Sequence, residues 1–213
     1  MRKQTLFITS IVLLAIILYS FKTPLIDGAN KNLNTNLDEK IERKVDSVLA
    51  LMRLNEKIGQ LVQYSGKWNA TGPSASNADK HKLNKLKNGE VGSMLNITSV
   101  ASIRETQKMV MDHSRLKIPL IFGYDVIHGY KTIFPIPLGE SASWDLEIIK
   151  KTAAIAAKET AASGIQWTFA PMIDISRDAR WGRVMEGAGE DVYLNTVIGV
   201  ARVQGFQGDD LSL

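Results

Sequence analysis

The chain contains no cysteine. That excludes disulfides and thiolate-held metals, although it fixes no compartment, since many exported proteins also lack the residue. Histidine is scarce. His81, His113 and His128 are the whole set, and their spacing matches no metal-ligand pattern. His113 falls near the end of a helical stretch, where it reads as structural. There is no Walker loop and no Gly-x-Ser-x-Gly nucleophile elbow. "GAGEDV" at 187–192 opens like a dinucleotide fingerprint but lacks the third glycine and the strand junction before it. Neither a metal nor a cofactor is therefore expected. Long internal repeats are absent as well.

Residues 1–22 hold Arg2, Lys3 and Lys22 and no acid. Of the net charge of +4, three units belong to this leader and one to everything after it. The basic balance is a property of the leader, so nucleic acid is not an expected partner. A basic run, "KHKLNKLK" at 80–87, reads as the exposed face of a helix. The leader itself, "MRKQTLFITSIVLLAIILYSFK", joins a basic start to an apolar run from Leu6 to Phe21. That is the grammar of an export signal. Without a clear small-x-small cleavage site, both a cleaved signal and an uncleaved N-terminal anchor fit, and the signal is favoured. The expected location is periplasmic or extracellular, with membrane contact only through an uncleaved leader. Residues 23–37, rich in Asn, Gly and Thr, read as a linker.

With 213 residues the chain has room for one large domain or two small ones. From 38 onward the pattern is helical, with Leu37, Ile41, Val45, Val48 and Leu49 at three- and four-residue steps. A second amphipathic piece covers 55–64, a loop 70–79, and the basic helix ends at Asn88-Gly89. Then the chain alternates. Strands are predicted at 91–97, 118–126 and 165–175. Helices are predicted at 99–116, capped by Ser99, at 145–164, between Asp145 and Gly164, and from 192 onward. Apolar strands alternating with helices predict an α/β fold built from parallel βαβ units.

In such folds ligands sit beyond the carboxyl ends of the strands. Asn96, Asp125 with His128, and Asp174 with Arg177, Arg180 and Arg183 all follow strands. Two readings of Asp125 stand. It caps a turn or holds an arginine, or it binds the hydroxyls of a polyol together with a loop arginine. An ionised carboxylate accepts two hydroxyls, and a guanidinium donates a rigid fork. Gly123 and Gly129 would let the backbone approach such a ligand closely. In "RDARWGRVMEGAGED" (177–191), Arg177 with Asp178 and Arg180 with Glu186 read as loop-shaping ion pairs. Trp181 reads either as a sugar-stacking ring or as cover for the loop. Glu190 and Asp191 suit the start of the next helix.

Four stretches taken together, "LNEKIGQL", "RLKIPLIFGYDVIHGYKTIFPIPLG", "WTFAPMIDISRDARWGRVMEGAGEDVYL" and "VQGFQGDD", resemble the N-terminal domain of family 3 glycoside hydrolases. Within it they look most like the periplasmic β-glucosidase branch. The resemblance spans roughly 38–213. It implies a (β/α)8-type barrel, of which this chain would carry the N-terminal part, and retaining hydrolysis of terminal β-D-glucosyl residues. It implies that Asp125 and Arg183 bind sugar hydroxyls in the terminal subsite, with Arg177, Arg180, Glu186 and Trp181 shaping the loop. It places the nucleophile, the acid/base and a Lys-His sugar-binding pair after residue 213, so no catalytic residue is expected in 1–213 and the fragment alone is expected to be inactive. A β-xylosidase, a β-N-acetylglucosaminidase or a non-catalytic remnant are the alternatives. Ala179 stands where the family commonly has proline, and Ala188 where an aromatic is usual. A half-barrel with open strand edges is also expected to be poorly soluble.

Overall fold

The computed structural model describes residues 31–66 and 76–208. The expected leader, and residues 23–30 of the expected linker, lie outside them. No helix among the described residues is long and apolar enough to cross a membrane. The chain divides by contact into Met1–Leu51 and Met52–Leu213.

In the first unit, helix α1 spans Lys31–Leu51. The linker predicted at 23–37 is corrected here, because residues 31–37 are already helical. Gly28 is the last glycine before them, and asparagine costs a helix only a few tenths of a kcal/mol per residue, roughly. Ile41, Val45, Val48 and Leu49 keep the predicted spacing and are exposed.

In the second unit the elements run α2 (Leu54–Gly59), β1 (Gln63–Ser65), α3 (Ser76–Lys87), β2 (Ser93–Leu95), α4 (Val100–His113) and β3 (Ile121–Tyr124). They continue with α5 (Pro137–Ser141), α6 (Leu146–Ala162), β4 (Trp167–Thr168), a 3-10 turn (Val184–Glu186) and α7 (Val192–Gln207). The strands are all parallel, in the order β1-β2-β3-β4, with Tyr64, Met94 and Phe122 in one register row and Gly123 opposite Trp167. A doubly wound sheet reverses its order at a switch point, whereas a (β/α)8 barrel adds strands in sequence. The described residues supply four of the eight βα units of that barrel.

Local chemistry explains the helix ends. Ser99, Asp145 and Asp191 each accept a backbone N–H three residues on, from Ser102, Ile148 and Leu194. Gly89 and Gly164 take positive φ where α3 and α6 stop. His113, in the last turn of α4, has Nδ1 2.9 Å from the Met109 carbonyl oxygen. The strands are shorter than predicted. The apolar run 165–175 yields only Trp167–Thr168 as strand, because Pro171 has no N–H for a ladder. An additional strand, β1, lies inside the piece read as amphipathic at 55–64. Helix α3 begins at Ser76, inside the loop predicted at 70–79. The rest of that loop lies outside the described residues.

The core has two parts. Leu86, Val91, Met94, Ile103, Val110 and Phe122 belong to the larger, between the sheet and α3 and α4. Ile149, Ala188, Ile198 and Ala201 form the smaller, where α6 meets α7. On the far side of α7 an open apolar groove of about 450 Å³ is bounded by Ile173, Ile175, Val192, Val200 and Val203.

At the α6–α7 crossing, Gly205 sets the distance. A Cβ there would lie 2.3 Å from the Lys150 carbonyl oxygen and 2.7 Å from Ala153 Cβ, so the helices must part to admit one. Gly205→Ala is expected to cost about 1–3 kcal/mol as an overpacked contact, read as a lowered midpoint in thermal or urea unfolding. An unchanged midpoint would show that the crossing is not this tight.

Candidate functional site

Because every strand is parallel, every carboxyl end faces one side. Asn96 leaves β2 with φ +63, and its Nδ2 donates to Ser65 Oγ at the end of β1, 3.2 Å away. Asp125 leaves β3 directly and is exposed. Asp174 follows β4. Arg183 caps the 3-10 turn, and its guanidinium feels the charges of Asp174 and Asp125. All three follow strands on that side of the sheet, which makes one rim of it.

Arg183 is fixed by a neighbour. Its Nε donates to Glu186 Oε1 at 3.0 Å and its Nη2 to Glu186 Oε2 at 2.6 Å. The hydrogen bond to Glu186 raises the arginine's pKa and lowers that of Glu186. This corrects the pairing read from sequence, in which Glu186 belonged to Arg180. In a 3-10 turn the side chains at i and i+3 eclipse, which brings 183 and 186 together. Arg180 turns back instead to Asp178, whose Oδ1 also accepts the Arg180 backbone N–H at 2.9 Å. Asp178 thus builds an Asx-turn with Arg180, and the pairing of Arg177 with Asp178 gives way to it. Arg177 is exposed, and its backbone N–H donates to the Ile175 carbonyl. Trp181 is 37% exposed, enough to present a ring edge or face to solvent, and its N–H closes the turn on the Asp178 carbonyl. Asp191 caps α7, as its position suggested.

The loop after β3 is held from three directions. Within itself, Gly129 pairs with Ile133, and His128 and Phe134 join through a backbone bond of 2.8 Å. From α6, Glu159 accepts Lys131 N–H and Thr132 N–H, both at 2.8 Å, and the Thr132 hydroxyl at 2.7 Å. From α7, the Nη2 of Arg202 donates to the Ile127 carbonyl. Arg202 Nη1 also donates to Glu140 Oε2 at 2.7 Å, and Glu140 accepts the Thr152 hydroxyl. Both charges are buried, Arg202 to 4% exposure and Glu140 to 5%. Burial pulls the Arg202 pKa down, and the charge of Glu140 pulls it back up.

Two glycines are required by the protein's own packing. A Cβ on Gly129 would sit 2.0 Å from the Thr132 carbonyl oxygen, and its φ is +116. A Cβ on Gly123 would meet the Phe169 ring at 3.1 Å.

Sequence reasoning passed over Glu140, Arg202 and Glu159. For Arg202 a signal existed, since it is the one charged residue in the sixteen of α7. A lone charge in an apolar helix needs a buried partner. Among the described residues no cluster of His, Asp and Glu is arranged to hold a metal.

Glu159 gives the loop a pH dependence. The bonds from Thr132, then that from Lys131, hold its pKa below the ordinary glutamate range. Its contribution is therefore complete above the unfolded value of about 4.3 and is lost as the pH falls through the lower folded value. The amides of Lys131 and Thr132 are expected to stay protected from exchange at pH 5–7, as an expected window of roughly neutral conditions, and to lose protection on further acidification. In Glu159→Gln that protection should already be reduced at neutral pH. Protection independent of both acid and this substitution would refute the assignment.

The chain is similar to proteins of one family. The Glycosyl hydrolase family 3 N terminal domain matches residues 53–212. A periplasmic beta-glucosidase of Salmonella typhimurium is 43% identical over 164 residues, covering 77% of this chain and 20% of the relative. A lysosomal beta glucosidase of Dictyostelium discoideum is 31% identical, covering 84% of this chain and 24% of its own. The beta-glucosidase of Listeria innocua, solved in complex with glucose, superposes with a TM-score of 0.69 at 41% identity, over 78% of this chain and 24% of that one. The chain thus spans a fifth to a quarter of the length of these relatives.

Proposed function

The chain belongs to glycosyl hydrolase family 3 through that family's N-terminal domain, and from this premise we propose that its rim is the sugar-holding part of a β-glucosidase active site. The substrate class is terminal β-D-glucosyl residues of glucosides or oligosaccharides. The observation that carries this reading is Asp125 and Arg183 on one rim at the carboxyl ends of parallel strands. Asp125 accepts hydroxyls of the terminal glucose. Arg183 has five N–H donors in all, and Glu186 takes one from Nε and one from Nη2. Nη1 and the second Nη2 hydrogen are left for the sugar. Three acids of the loop are engaged in structure, Asp178 and Glu186 with arginines and Asp191 with a helix cap.

A retaining glycosidase needs two carboxylates about 5–5.5 Å apart across the scissile bond. In this proposal both come from sequence other than 1–213, and the residues here bind and orient the sugar between them. The leader, together with the periplasmic location of the Salmonella relative, supports export of the protein. The family's N-terminal domain is matched by residues 53–212.

Hydrolysis of an aryl β-glucoside tests the proposal, using the full-length polypeptide that carries residues 1–213. Asp125→Ala and Arg183→Ala are each expected to lower kcat/KM by about 10- to 150-fold, the worth of a charged hydrogen bond of about 1.5–3 kcal/mol. Residues 1–213 alone are expected to give no turnover. Turnover by that piece, retained after Asp125→Ala, would overturn the reading.

A further inference from the structure

Asp125 is bracketed. On one side the β3 ladder ends at Tyr124. On the other, Val126 is wholly buried, and the Ile127 carbonyl accepts from Arg202, whose charge is balanced by Glu140. We propose that Arg202 and Glu140 are positioning residues for Asp125, fixing the backbone two residues beyond the carboxylate and so setting where it stands on the rim. This rests on the reading of Asp125 as a sugar-binding group.

Stability alone does not account for the pair. An ion pair with both side chains at 5% exposure gives up the hydration of two charges, and replacing such pairs by apolar side chains is often neutral or stabilising. What an aliphatic pair cannot supply is the third bond. The Ile127 carbonyl lies in a loop, outside any helix or strand ladder, and takes its hydrogen bond from Arg202 instead. A guanidinium can face a carboxylate with one nitrogen and a carbonyl with another. Arg202 does both, joining α5, α7 and the loop after β3 at one point.

The test separates position from stability. In the full-length polypeptide, Glu140→Leu and Arg202→Leu singly are each expected to lower the melting temperature, because each strands a buried charge. The double variant Glu140→Leu/Arg202→Leu is expected to recover it. Its kcat/KM for the aryl β-glucoside should still be down by about 10- to 100-fold, the effect of a misplaced binding group. In an Asp125→Ala background the same double change should cost nothing further, since the two act through one carboxylate. Arg202→Lys keeps the charge pair but loses the fork, and it should show the same kinetic loss with little change in melting temperature.

Amide exchange at Lys131, Thr132 and Phe134, about tenfold faster in the double variant, reports the loop directly and does not depend on the activity. A stable double variant with parental kcat/KM and exchange would overturn the proposal. So would a loss that persists undiminished in the Asp125→Ala background. If the parent polypeptide hydrolyses no glucoside, the functional reading fails by itself, and parental exchange in the variants still overturns the positioning role.

Discussion

A charge withdrawn from water must be answered where it lies, and in this domain the answer to Arg202 ties down the loop after β3. The guanidinium meets Glu140 on one side and the Ile127 carbonyl on the other. Glu140 is held in turn by Thr152 of α6. Helices α5, α6 and α7 are thereby connected, through hydrogen bonds of fixed geometry, to the loop that begins with Asp125. The cost of desolvating two ions makes loose arrangements of this cluster unfavourable. The tighter it is satisfied, the fewer places the loop can occupy.

The second constraint is topological. Four parallel strands in sequential order deliver their carboxyl ends to one side, so Asn96, Asp125 and the loop that carries Asp174 and Arg183 all leave the sheet at the same end. The loop from 174 to 191 is tied back to α7. Asn195 donates to the Gly189 and Asp191 carbonyls, and the Ser176 N–H shares Gly189. The polar stretch between two core elements is thus a structured rim, whose charges mostly hold one another. Ala188 lies in the small core between α6 and α7.

What the sequence made legible was local. Ser99, Asp145 and Asp191 read as caps, Gly89 and Gly164 as stops, and the alternation of apolar runs with helices as a parallel α/β fold. The long motifs identified the family, and the proposed roles of Asp125 and Arg183 follow from that resemblance. Strand lengths were misjudged because apolar runs report burial, whereas a strand ends where its ladder ends. Gln63–Ser65 escaped because three half-polar residues carry no period. Glu140 and Arg202 are 62 residues apart, and no local rule couples them. The exchange of partners among Arg180, Arg183, Asp178 and Glu186 hinged on one 3-10 turn that spacing alone did not reveal.

The bond between Arg183 and Glu186 reaches beyond geometry into the thermodynamics of capture. A free arginine side chain holds about 2 kcal/mol of rotamer entropy, which an incoming sugar would otherwise have to quench. Here a neighbouring carboxylate has quenched much of it before any ligand arrives. In the proposed sugar-holding role, that fixed plane is a form of preorganisation: two hydroxyls offered in the plane of the guanidinium would meet donors already turned toward them.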